Sequence, residues 1–166
     1  MPIPPCHHGY ELDRWARRDV ITLGALDGAV PSARAHVRQL LWEWSRPELA
    51  QDVGIVVTEL VANAVAASAE LRPAVAPVLV WLGSDDRCVL AAVADTSTRP
   101  PMLLNRGLEA ERGRGLALVE AFSSRWGWHP AAMARRLVKA VWAEWCLPSG
   151  TGRRAAAVGP GHCHAV

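Results

Sequence analysis

Glu59 and Asn63 stand four residues apart in "VVTELVANAVAAS" (56–68), a run that is otherwise almost wholly apolar. At i and i+4 the two side chains share one face of a helix. Val56, Leu60, Val61, Ala64 and Val65 surround them, which places the pair on a largely buried helix. A carboxylate in such company is costly unless it is paired, or else it gives up its charge. One resolution is structural: Glu59 caps a backbone group or meets an arginine, since ion pairs also bury carboxylates. The other is chemical. The amide oxygen of Asn63 suits Mg²⁺, which keeps most of its waters and binds phosphate oxygens. Glu59, one turn away, could take a proton from a water or a hydroxyl as a general base.

Two further segments carry compatible chemistry. In "AVADTSTRPP" (92–101), Asp95 falls where a buried strand ends. A carboxylate there either caps a turn or accepts a hydrogen bond from an exocyclic amine such as the adenine N6 group. In "ERGRGLALVEAF" (111–122), Gly113 and Gly115 precede a short helix. Glycine lets a backbone approach a ligand closely, and a helix N-terminus offers free N–H groups and a positive dipole end to phosphate. From two glycines alone a plain flexible turn is the better reading. The segment is neither a Walker A loop, since no GK[ST] follows, nor a Rossmann fingerprint, since no third glycine follows.

These residues need a scaffold. A chain of 166 residues suggests one domain with a core of its own, and 51% apolar residues exclude a disordered composition. A net charge of +2 argues against nucleic-acid binding by bulk electrostatics. Among the 18 basic residues Lys139 is the only lysine. The cysteines at 6, 88, 146 and 163 form no CxxC pair and read as reduced thiols. With no signal-peptide stretch and no uncharged apolar run of about 20 residues, the expectation is a soluble cytoplasmic protein without membrane contact.

Periodicity supplies the elements. Residues 1–18 read as a loose arm, "VITLG" (20–24) as a strand, and "SARAHVRQLLWEW" as a helix with Pro31 in its first turn. His36 falls on a solvated face of that helix. A second helix spans about 52–69. "VLVWL" (78–82) and "CVLAAVAD" (88–95) form an antiparallel hairpin around a turn at "GSDD". Residues 96–112 are a loop, 115–122 a short helix, and "RWGW" and "LVKAVWAEW" closing strands, with "ARR" (134–136) a solvated loop between them. Trp81, Trp126, Trp128, Trp142 and Trp145 sit in strands and belong to the core. The tail 148–166, rich in Gly, Ala and Pro, reads as disordered. The sum is an α+β fold, a two-layer sandwich with a mixed or mostly antiparallel sheet covered on one face by helices.

Taken together and in this order, the three segments resemble the motif set of the histidine-kinase-type ATPases, the Bergerat fold. "ELVANAV" looks like the N box, "VADTSTRPP" like a shortened first glycine box, and "ERGRGLALVEAFSSRWGW" like the second glycine box. "KAVWAEW" resembles the closing strand. The likeness covers about residues 19–147 and is strongest to small stand-alone anti-sigma-factor serine kinases of actinobacterial type. It implies ATP and Mg²⁺ as cofactors. Asn63 would hold the metal and Glu59 would activate the attacking hydroxyl. Asp95 would read adenine, with Ser97 beside it in the nucleotide site. Gly113, Arg114, Gly115 and Leu116 would cradle phosphates under a lid of residues 98–114. The implied partner is a sigma factor, an anti-anti-sigma-like protein, or both. The implied activity is serine/threonine phosphotransfer to the latter. A non-catalytic module whose conformation is set by nucleotide stays open, as does the oligomeric state, homodimer included. The sequence departs from those relatives at Ala66 and Ala67, where a polar pair is usual, and at Val138, where a glycine normally precedes the lysine.

Overall fold

The computed structural model describes residues 15–69, 75–85, 87–101, 114–133 and 136–147. In chain order these build β1 (Arg17–Gly24), α1 (Ala29–Glu43), a 3₁₀ turn (Pro47–Leu49), α2 (Ala50–Ala69), β2 (Pro77–Ser84) and β3 (Cys88–Asp95). Then follow α3 (Arg114–Phe122), β4 (Arg125–Met133) and β5 (Arg136–Cys146). The five strands form one sheet in the order β1-β2-β3-β5-β4. All four pairings are antiparallel. The two-layer α+β sandwich expected from the sequence is the observed architecture.

The helical layer is fixed by spacing. Ala33, Val37, Leu40 and Leu41 of α1 and Val53, Val56, Val57, Leu60 and Val61 of α2 are buried, each set at intervals of three and four. They meet the alternate strand residues Val80, Leu82, Val89, Ala91, Val93, Val141 and Ala143 in one cluster. Each such side chain, taken out of water, stabilises the fold by roughly 1.5–3 kcal/mol. α1 ends in a Schellman motif: Arg46 N–H reaches Leu41 O at 2.7 Å and Ser45 N–H reaches Trp42 O at 3.1 Å. Ser45 takes the left-handed position, at φ 58°. That reversal sends the chain back along the sheet as α2. The segment Pro47–Ser68 has the length and mean hydropathy of a membrane span. Its apolar stripe faces the sheet and α1, which accounts for its composition as a core helix.

The other sheet face is also buried, at Leu79, Trp81, Leu90, Ala92, Ala94 and Ala140. β3 is therefore covered at every position. Trp15, 2% exposed, stands edge-on to Trp81 with ring centroids 6.0 Å apart. A Cβ at Gly83 would lie 2.3 Å from the Trp81 ring, so only glycine leaves that indole room. Trp15 thus belongs to the fold and β1 starts at Arg17, where the sequence reading placed a loose arm; residues 1–14 of that arm and the tail 148–166 lie outside the described residues.

Several other expectations change. Cys88 and Cys146 are joined in a disulfide, not free thiols. They sit directly opposite on β3 and β5. The flanking bond from Leu147 N–H to Arg87 O marks a non-hydrogen-bonded pair, in which Cα atoms approach most closely. Here the Cα atoms are 4.1 Å apart. Glu144 lies within 4.8 Å of both sulfurs. The sulfurs bind each other and Glu144 pairs with Arg125, so this group is not a metal centre. His36 is partly buried, with Nε2 2.9 Å from Asp19 Oδ1, because α1 packs over β1 there. Arg136 opens β5 rather than ending a loop.

His129 on β4 pairs in register with Ala140 and is 3% exposed. Its Nδ1–H donates to Pro130 O at 3.0 Å. Burial pushes the imidazole below its ordinary pKa, and the Pro130 hydrogen bond pulls weakly the other way. The folded state therefore favours neutral His129. That contribution is complete above the unfolded value near 6.5 and is lost as pH falls below it. Between pH 7 and 5 the wild type should lose melting temperature that His129→Gln retains. Parallel thermal melts across that range check it, and superimposable pH profiles would refute the assignment.

Candidate functional site

At 100° per residue, Glu59 and Asn63 fall roughly a quarter to a third of a turn off the centre of the buried stripe of α2. That rotation decides their surroundings. Glu59 is half-buried and Asn63 is exposed, so the pair is not inside the core as its apolar neighbours suggested. Both side chains are turned toward the first turn of α3. A Cβ on Gly115 would fall 2.8 Å from Glu59 Oε2 and 3.4 Å from Asn63 Nδ2. The missing side chain lets the α3 backbone close on the two polar groups. The first-turn N–H groups of a helix have no intrahelical acceptor, and they carry its positive dipole end.

Leu116 packs its side chain into the core at 4% exposure, which anchors this helix start. Arg114 opens α3. Gly113, and residues 102–113 of the expected lid, lie outside the described residues.

Asp95 ends β3 on the same sheet face as the helices, by alternation from Val93. It is 3% exposed. Oδ1 accepts the Ser97 N–H at 2.7 Å, and Oδ2 lies 3.2 Å from Lys139 Nζ. Burial pushes the Asp95 carboxyl above its usual range, and the Lys139 ammonium and the Ser97 amide offset only part of that rise. Asp95 therefore caps the turn after β3 and sits in a buried ion pair. Ser97 is itself buried, and its Oγ accepts the Arg99 N–H at 3.3 Å. Its visible work is to fix the turn that aims Asp95.

The role of Lys139 was missed from sequence. Its signal was available: one lysine among 18 basic residues, inside an apolar strand. Its partner was not, because the ion pair exists only through the register Asp95↔Lys139 between β3 and β5.

A groove of about 600 Å³ opens between α1 and α2, lined by residues including Arg34, Arg38, Gln51, Thr58 and Glu59. Arg34 and Arg38 are exposed and have no ion-pair partner among the described residues. Glu59 therefore borders both the groove and the α3 turn. The hydroxyls of Thr58 and Thr96 are buried without a hydrogen-bond partner among the described residues. The open first turn at Gly115, the Asn63 amide and the Glu59 carboxylate form a donor set suited to a hard cation with phosphate oxygens. The residues present fit ATP with Mg²⁺.

The family model for the histidine kinase-like ATPase domain matches residues 23–142, from the end of β1 into β5. No curated protein matches the chain.

Gly115 gives this geometry a direct check. Gly115 lies in the first turn of α3, where the change in helix propensity on Gly115→Ala is small, and the flexible end of Glu59 is what the new methyl meets. The ligand-free protein should melt within a few degrees of wild type. Stabilisation by ATP–Mg²⁺, about 2.7 kcal/mol at 100-fold over Kd in wild type, should largely disappear. Thermal melts with and without nucleotide measure both quantities; full stabilisation of the variant would contradict a cradle at Gly115.

Proposed function

The chain belongs to the histidine kinase-like ATPase domain family, and from that premise we propose that it is an ATP-binding regulatory protein acting as a serine/threonine kinase on a separate protein. The observation that carries this reading is the place of Glu59, between the first turn of α3 and an open groove. A general base must touch both the nucleotide site and the path of an incoming hydroxyl, and Glu59 borders both.

When bound, ATP–Mg²⁺ would supply the phosphoryl group and neutralise the charge that develops on it. Asn63 would hold the metal through its amide oxygen. Backbone N–H groups at Gly115 and Leu116, with Gly113 and Arg114 before them, would bind the phosphates. Asp95 would accept a hydrogen bond from the exocyclic amine of the base. Glu59 takes the proton from a serine or threonine hydroxyl that enters along the α1–α2 groove. Arg34 and Arg38 give that groove a positive wall, which favours a protein segment with acidic residues near its hydroxyl. Phosphotransfer needs little more from a protein than such positioning and charge stabilisation.

The partner that fits the anti-sigma-kinase resemblance is an anti-anti-sigma-like protein as acceptor, a sigma factor as the regulated target, or both. The protein would act in the cytoplasm as a regulator of transcription without touching nucleic acid itself. The second reading is a non-catalytic module that binds nucleotide and partner without transfer. Exposed Ala66, where relatives carry a polar residue, favours it.

The deciding experiment is transfer of label from γ-labelled ATP to proteins captured with ATP–Mg²⁺ present. Glu59→Ala should keep ATP binding and lose roughly 10²–10⁴-fold in transfer rate. Asn63→Ala should lose Mg²⁺-dependent binding and transfer together. Tight ATP binding with no labelled acceptor would leave the non-catalytic module standing and remove the kinase.

A further inference from the structure

We infer that Lys139 is a positioning residue for base recognition: through its buried ion pair it holds Asp95 as an ionised, oriented acceptor, and so selects a base bearing an exocyclic amine. The inference rests on the nucleotide-binding reading above and gives a role to a residue that the resemblance leaves without one.

The geometry is specific. Lys139 and Asp95 are 6% and 3% exposed, and Nζ stands 3.2 Å from Oδ2. A carboxylate buried to that degree without a cation would take up a proton. The consequence for recognition is a change of sign. An ionised carboxylate offers only acceptors, whereas a protonated one puts a donor into the site. The Ser97 amide and the Lys139 ammonium occupy one position on each oxygen, at 2.7 and 3.2 Å. A carboxylate has about four lone-pair sites, so each oxygen keeps one for a further donor. Both contacts also fix the rotation of the carboxylate. Lys139 does not need to touch the base to do this.

No other described cation pairs with Asp95. Glu59 on α2 and Glu120 on α3 carry the wrong sign, and Arg99 in the loop after β3 is exposed. His129 on β4 is paired in register with Ala140 and faces the opposite side of the sheet. Among the described residues Lys139 is the only cation within ion-pair distance of Asp95. Burial raises the affinity of Asp95 for a proton, and Lys139 is the largest influence opposing it.

The test compares Mg²⁺–ATP with Mg²⁺–ITP, in which a carbonyl replaces the exocyclic amine. Binding is measured by titration calorimetry from pH 6 to 8 for wild type, Lys139→Met and Lys139→Arg. Wild type should prefer ATP by roughly tenfold to a hundredfold, the range of one hydrogen bond to a charged group, with no pH dependence. In Lys139→Met the preference should fall below that of wild type and rise with pH, because burial without its cation keeps the carboxyl protonated to higher pH. Lys139→Arg should restore a flat profile. Removing the cation leaves a buried carboxylate alone, so if Lys139→Met does not fold, the wild-type profile decides: a preference that fades between pH 8 and 6 overturns the inference. So does a Lys139→Met protein that keeps the wild-type preference at every pH, which would make Lys139 merely structural. Wild type that binds neither nucleotide refutes the nucleotide reading itself, and this inference with it.

Discussion

The close approach of the α3 backbone to the polar flank of α2 is the contact on which the site depends. Gly115 has no side chain, and its Cα side faces Glu59 Oε2 and Asn63 at distances a methyl would fill. Everything around it serves to hold two helices at that separation. Leu116 and Val119 tie α3 into the core, while the stripe from Val53 to Ala64 ties α2 to the sheet. The stripe is centred away from Glu59 and Asn63, so burying it delivers the pair to the edge of the helix, where a ligand can reach it. The cost of placing a carboxylate near apolar surface is then reduced, since Glu59 keeps part of its solvent.

Asp95 is treated in the opposite way. It lies inside, and the sheet supplies its cation from the neighbouring strand. Buried ion pairs are poor sources of stability, because desolvation offsets most of the attraction. Retaining one at the end of β3 is easier to understand as positioning than as glue. The two ends of the proposed site thus differ in kind: an exposed, adaptable pair toward the phosphates and a fixed, dry carboxylate toward the base. That division is what a nucleotide with a charged tail and a flat, partly apolar base would require.

Much of this was legible in the sequence, and the omissions share a cause. α1 could be read because Val37, Leu40, Leu41 and Trp44 repeat at helical spacing, and β3 because "CVLAAVAD" has no polar residue before its last. Glu59, Asn63, Asp95 and the glycines before α3 could be read because their order along the chain carries the motif. What failed was whatever depends on neighbours across the fold. Helical spacing gives the angle between Glu59 and Val57 but not which angle faces solvent, so Asn63 was placed inside. The Cys88–Cys146 bond spans 58 residues and exists only through strand register. The same register makes the Asp95–Lys139 pair. Trp15 read as part of an arm because nothing in its local sequence announces that it packs on Trp81.

The central claim is that one nucleotide bridges the end of β3 and the first turn of α3. Hydrogen exchange with and without ATP–Mg²⁺, followed by peptide mass, tests it most directly. The account predicts slower exchange in peptides covering residues 95–99 and 114–119, with β4 and the β1–β2 pair unchanged. Exchange unaltered at both segments, or protection confined to another part of the sheet, would contradict it.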